Sequence, residues 1–326
     1  MTFEGSDKVN SQASNQTVAI IGCGFVGLGW AIVFARAGHP VMLHDPDAAV
    51  LNDAHARLSA SLQEGAAAGL IDEPVADILA RFTAVPTLED AVSQAVYAQE
   101  SSPEVLELKR DLFARLDACA PPNAILASSS SGLTCTNVCG QLPGRHRCIV
   151  AHPANPPHLL PAVEMVPAAF TDPEVVERAS DLLKRANMVP VVVGEIDGFV
   201  MNRLQCALVQ EALELVEAGI ADADAVDAIV RGSLGLRWSF MGPFETMDLN
   251  APGGFGDYAR RYGPGFAKLA GAESWPCDAV VRVDSAMRMH TPLDALHEKR
   301  AWRDRRLAAL SLHCRNAEPS GARRSG

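Results

Sequence analysis

Basic residues are scarce. Lys and Arg total 28 against 39 Asp and Glu, so the 326-residue chain carries a net charge of −11. Such a surplus of acid repels phosphate, which argues against a general nucleic-acid or membrane-surface binder. Long apolar runs are missing too: none reaches the about 18 residues a membrane span needs. The opening MTFEGSDKVNSQASNQ lacks the basic start and apolar middle of a secretory signal, and residues 1–16 read as a loose leader. Without an export signal, the eight scattered cysteines are expected as reduced thiols in the cytoplasm. Cys135 and Cys139 form a C-x3-C with no second ligand pair nearby, so no metal is expected. Aromatics make up only 6%, yet a hydrophobic fraction of 48% excludes a disordered chain. At roughly 150 residues per domain, the length accommodates about two domains.

The apolar pattern divides the chain. Residues 17–22 (TVAIIG) form a short apolar run ending in glycine, followed by a helical stretch to about Ala37, a stop at Gly38 and a second run at Pro40–His44. This is a βαβ unit. Residues 47–81 read as helical and acidic. Further strands are expected at Ala95–Gln99, Ala124–Ser128, Cys148–Ala151, Ala162–Val166 and Val189–Val193, with helices at Pro103–Cys119 and Pro173–Ala186. The alternation predicts an α/β doubly wound sheet over residues 17–197. From Phe199 to Ala218 apolar residues recur every three or four positions, which predicts one long helix closed by Gly219. The remainder, 198–326, reads as an all-helical domain.

The first strand ends in Gly22-Cys23-Gly24-Phe25-Val26-Gly27, a G-x-G-x-x-G that opens a helix. In that context Gly22 allows the turn, Gly24 lets the backbone approach a pyrophosphate, and Gly27 lets the helix lie close to the strand. The helix N-terminus offers free N–H groups to phosphates. Asp45 closes the second strand, eighteen residues after Gly27, where a carboxylate accepts from ribose hydroxyls. Pro46 and Asp47 follow it rather than an arginine, so NAD is favoured over NADP. Gly22, Gly24, Phe25, Val26, Gly27 and Asp45 form the expected cofactor set, together with Glu100 at the end of a later strand. Cys23 is explained by its small size, although a thiol there invites alkylation.

A second constellation follows. Strand Cys148–Ala151 runs into His152-Pro153-Ala154-Asn155-Pro156-Pro157, and Glu164 lies twelve residues after the histidine. A Pro-rich turn between two strands would bring the pair together. The carboxylate would then fix the imidazole tautomer and stabilise the cation formed on proton uptake. Ser128 at a strand end and Asn202 near the start of the long helix are neutral groups suited to holding a hydroxyl that becomes a carbonyl. Taken singly, each also reads as an ordinary loop serine or helix cap.

Together, and in order, these motifs resemble the L-3-hydroxyacyl-CoA dehydrogenase superfamily, from the glycine loop to about residue 250. The segments ASSSSGL (127–133), HPANPP (152–157), DGFVMNRL (197–204) and GLRWSFMGPFE (235–245) are similar to the lambda-crystallin/L-gulonate 3-dehydrogenase branch, and the last also to carnitine dehydrogenase. The resemblance implies a Rossmann-type domain followed by a helical, homodimer-forming domain. It also implies Ser128, His152, Glu164 and Asn202 as the catalytic set.

Substrate size is read from charge. Between Asp45 and Arg81, where the acyl-CoA branch would place CoA contacts, there are only two arginines, Arg57 and Arg81, against seven acids. A small anionic hydroxy acid needs one cation, and Arg237 can grip a carboxylate with its fork. A structural salt bridge or dimer contact is the alternative for Arg237, and its neighbour Trp238 is expected in the core. The leading expectation is an NAD-dependent 3-hydroxy acid dehydrogenase of the gulonate type. The alternatives are a 3-hydroxyacyl-CoA or carnitine dehydrogenase, or a non-enzymatic crystallin. Residues 299–326 hold eight Lys/Arg and two Asp/Glu, so a +6 end balances a −17 body. That end is read as a solvated face or dimer contact.

Overall fold

The computed structural model describes residues 16–317. The leader, apart from its last residue, and the end of the basic segment from 318 lie outside them. The described chain forms two compact units that divide at Val209/Gln210.

The first unit is built on an eight-stranded sheet in the order β3-β2-β1-β4-β5-β6-β7-β8. The strands are β1 (Thr17–Ile21), β2 (Val41–His44), β3 (Phe82–Ala84), β4 (Ala95–Glu100), β5 (Ile125–Ser128), β6 (Cys148–Pro153), β7 (Ala162–Val166) and β8 (Val189–Val192). From β3 to β6 every pair is parallel; β7 runs antiparallel to β6, and β8 parallel to β7. Side chains on a strand alternate between faces, and a parallel sheet covered on both sides needs apolar residues at both. β1 meets that need: Val18 and Ile20 enter one apolar layer with Trp30, Phe34 and Leu58, while Ala19 and Ile21 enter the other with Phe113, Leu116 and Val150. The helix after β1, α1 (Phe25–Arg36), ends before Gly38, whose φ of 89° stops it.

Two local readings change. The stretch read as helical over 47–81 holds α2 (Ala48–Ala67) and a short helix Val75–Leu79, and directly after it, at Phe82, comes the strand β3, which was not among the expected strands. β3 spans three residues at the sheet edge, too few for a period to register. The long helix runs over Met201–Glu217, so it excludes Phe199. Gly198 and Phe199 take φ values of 75° and 50°, and Phe199 is fully buried in the sheet's second layer. Its apolar character serves that layer, which mimicked helical spacing. The two compact units divide inside this same helix, at Val209/Gln210.

The second unit contains helices Pro243–Leu249, Gly254–Leu269, Cys277–His290 and Leu296–Ala317. Met241, Leu249 and Leu296 form its buried centre, flanked by Phe240 and Trp302. Arg300, in the basic segment, donates to the carbonyls of Leu249 and Ala251, closing the end of the Pro243–Leu249 helix. Among the described residues no helix is long and apolar enough to cross a membrane.

Candidate active site

The glycine loop, β2 and the end of β4 frame a cleft of about 710 Å³ at the C-terminal ends of the strands. Gly22, Gly24, Phe25, Val26 and Asp45 all line it. Gly22 sits at a φ of 99°, a conformation that disfavours L side chains. A Cβ at Gly27 would stand 1.8 Å from the Gly22 carbonyl oxygen, which explains why α1 lies so close to the loop. A Cβ at Gly24 would meet nothing within 4 Å, so that backbone is bare on its open side. The Cys23 amide donates to Asp45 Oδ2 at 2.8 Å, and the Asp47 amide to Oδ1 at 2.9 Å, so the carboxylate is anchored on the loop itself. These residues fit a dinucleotide: bare glycine backbone and helix amides for the pyrophosphate, and a fixed carboxylate for a ribose.

Two cations reach this cleft that sequence spacing did not place there. Arg57, twelve residues beyond Asp45 on α2, donates to the Cys23 carbonyl at 3.1 Å and lies over the Phe25 ring at 5.3 Å. Arg115 lines the rim. One turn of helix every 3.6 residues makes such returns invisible to a reading of immediate neighbours.

Glu100 corrects an expectation. It is fully buried, and its carboxylate is occupied: Lys109 Nζ, the Ser102 amide and the Ser102 hydroxyl donate to Oε1 at 2.7, 2.7 and 2.5 Å, and Ser128 Oγ donates to Oε2 at 2.6 Å. It therefore stands behind the cleft wall and holds Ser128, rather than facing a cofactor. Lys109, itself 1% exposed, was missed because a cation next to Arg110 in a charged helical stretch reads as a solvated one. Glu104 is its other partner at 3.6 Å, and it gathers the serine loop by accepting from Ser130 Oγ at 2.5 Å and the Gly132 amide at 3.0 Å. Partial burial pushes the Glu104 carboxyl up, but Ser130, Lys109 and the loop amides outweigh it and hold the group below its ordinary value.

The His–Glu pair is set by sheet register. His152 on β6 and Glu164 on β7 are direct partners in the antiparallel ladder. His152 Nδ1 and Glu164 Oε2 lie 2.8 Å apart, both residues buried. A carboxylate only accepts, so Nδ1 carries the proton and Nε2 is left with its lone pair. Glu164 Oε1 accepts from the amides of Val200 and Met201 at 2.8 and 2.9 Å, at the start of the long helix. Phe199, held at its positive φ between these groups, packs its ring 5.6 Å from the imidazole. Asn202 Nδ2 donates to the Ser131 carbonyl at 2.6 Å, which ties it to the serine loop that begins at Ser128. Backbone and side-chain hydrogen bonds thus join all four predicted residues to this end of the sheet.

Arg237 lies in the second unit, on the short helix Leu236–Trp238. Its Nε is buried without a hydrogen-bond partner, and among the described residues its guanidinium has no acidic partner. Trp238 is 41% exposed, so it is not the core residue expected. Cys135 and Cys139 are buried in the sheet's second apolar layer. Among the described residues no group of three metal-ligating side chains comes together.

Residues 17–196 match the 3-hydroxyacyl-CoA dehydrogenase NAD-binding domain, and residues 198–291 match the C-terminal domain of the same family. The chain is 39% identical over 303 residues to a lambda-crystallin homolog of Bos taurus, covering 90% of this chain and 94% of that one. It is 40% identical over 252 residues to an L-carnitine dehydrogenase of Streptomyces griseus, covering 76% and 73%. The structure of a 3-hydroxybutyryl-CoA dehydrogenase from Escherichia coli K12 superposes with a TM-score of 0.64 at 32% identity, covering 73% of this chain and 50% of that one, so this chain spans half its length. The chain belongs to the 3-hydroxyacyl-CoA dehydrogenase family, and is an NAD-dependent oxidoreductase acting on CH–OH groups.

Proposed function

We propose that this protein oxidises the 3-hydroxyl of a small, free hydroxy acid of the L-gulonate type. The observation that carries the chemistry is the buried His152–Glu164 contact of 2.8 Å. Glu164 keeps the proton on Nδ1, so Nε2 is free to take the substrate's hydroxyl proton, and the carboxylate then faces the imidazolium. NAD, when bound, supplies the hydride acceptor. One N–H of Asn202 is committed to the Ser131 carbonyl; the other is free to meet the oxygen as it becomes a carbonyl. Ser128 gives its proton to Glu100 and accepts the Ser130 amide at 3.2 Å, so it orders the loop and offers the reactants a lone pair.

Charge supports a free acid over a CoA ester. Of the two arginines between Asp45 and Arg81, Arg57 is engaged with the glycine loop and Arg81 with Glu73 and the Ala35 carbonyl. Neither is spare for a CoA phosphate. Arg237, with no acidic partner among the described residues, is the cation we assign to the substrate carboxylate. All eight cysteines are free thiols, which fits a reducing compartment such as the cytoplasm. No residue of the long Met201–Glu217 helix is buried. Leu204 and Leu213 on it are 62% and 61% exposed, which supports a homodimer formed partly through this helix.

NAD reduction against L-gulonate, L-carnitine, 3-hydroxybutyrate and 3-hydroxybutyryl-CoA tests the substrate class. Faster turnover of the CoA ester than of any free acid would overturn it. His152→Gln is expected to lose turnover by about a hundredfold or more while NADH still binds. Near-normal activity in that variant would remove His152 from the mechanism.

A further inference from the structure

The polar wall behind the cofactor cleft contains hydrogen bonds whose directions are determined. Trp30 Nε1 can only donate, and it reaches Ser129 Oγ at 3.1 Å. Gln99 Nε2 reaches the same oxygen at 2.7 Å. The other neighbour of that nitrogen is the Ala151 carbonyl at 3.4 Å, while Gln99 Oε1 faces the Tyr97 hydroxyl at 2.6 Å. A carbonyl neighbour requires an N–H, which places the amide nitrogen on the Ser129 side. Trp30, Tyr97 and Gln99 are all fully buried, so no solvent competes for these groups. Two donors fill both acceptor positions of Ser129 Oγ. Its own proton then goes to Ser101 Oγ, 2.9 Å away.

Ser101 accepts on its inner side, and its own proton has no other partner among the described residues. This serine lines the cleft beside Gly22 and Gly24. Its carbonyl oxygen is 2.7 Å from where a Cβ on Gly22 would stand, so it is seated against the glycine loop. A cleft-wall hydroxyl wired in this way is a donor to whatever occupies the cleft. Ser102, also on the wall, is wired the other way: it donates to Glu100 and shows only lone pairs.

We propose that Ser101 is a cofactor-binding residue whose hydroxyl donates to an anionic pyrophosphate oxygen, and that Ser129 is the positioning residue that fixes this polarity. The inference rests on NAD as cofactor, not on the hydroxy acid. It is tested by calorimetric titration without any hydroxy acid, so a wrong substrate leaves the result unchanged. Ser101→Ala is expected to weaken ADP and NADH binding about tenfold and to leave adenosine unchanged. Ser102→Ala should leave ADP affinity within about twofold, because a lone pair does not hold a phosphate. Ser129→Ala should weaken ADP, and the Ser101→Ala/Ser129→Ala double variant should bind ADP no more weakly than Ser101→Ala. ADP binding at wild-type strength in Ser101→Ala overturns the proposal. So does an equal loss of adenosine and ADP, which would report general distortion of the cleft. If Ser129→Ala does not fold, Ser101→Ala and Ser102→Ala decide the matter alone.

Discussion

Cys23 shows how far a residue's surroundings override its intrinsic chemistry. The motif puts a thiol inside the phosphate loop, where alkylation is an obvious expectation. Burial, and then the Asp45 charge, push that thiol up to about 12. At pH 8 only on the order of one molecule in ten thousand carries the reactive thiolate. Iodoacetamide at pH 8 is therefore expected to spare Cys23 in the native protein while labelling the exposed Cys277 and Cys314. Peptide mass spectrometry reads the outcome, and labelling of Cys23 at the rate of Cys277 would contradict it. The same distinction separates Glu164 from Glu100. Both are buried acids on strands, but Glu164 divides its oxygens between an imidazole and two backbone amides, whereas Glu100 holds a lysine and two serines. Residue type and position alone did not separate those roles, because the deciding partners come from other strands and helices.

At the scale of elements, legibility followed locality. The strand–loop–helix around Gly22–Gly27 was readable because its parts lie within about twenty residues and each glycine answers a local demand. Gly27→Ala would drive a methyl into the Gly22 carbonyl oxygen. We expect a loss of about 2–3 kcal/mol from overpacking together with weaker NADH binding, measured by thermal melts and titration. Asp47 caps α2 by accepting from the Ala49 amide at 2.8 Å. Asp47→Ala should cost about 1 kcal/mol, read as a lower urea midpoint with unchanged slope. The His152–Glu164 meeting was readable too, since proline between two strands signals a reversal. β3 and the start of the long helix were not. One is too short to show a period, and the other depends on a phenylalanine kept in left-handed backbone geometry by the core around it. Lys109, at the hub of the serine loop, was equally hidden, because burial of a charge is decided by distant partners.

For the molecule as a whole, net charge is a poor guide to how anions are held. The basic end is partly structural: Arg300 closes a helix, and Lys299 pairs with Glu245 at 2.8 Å. The homodimer proposed above predicts about twice the chain mass by light scattering. A Leu204→Glu/Leu213→Glu variant should run as a monomer and keep NADH binding, which belongs to the first unit. A monomeric wild-type protein would remove that proposal.

The antiparallel pairing of β6 and β7 has an evolutionary consequence. The distance between His152 and Glu164 is fixed by the ladder, not by the segment that links the two strands. Around Leu159 and Leu160, which are 53% and 45% exposed, that segment is free to lengthen without moving either partner. A single inserted residue within β7 would instead turn Glu164 to the opposite face of the sheet. Sequence drift is thus channelled: the outer connection can be reshaped through insertions while the His152–Glu164 pair stays in register.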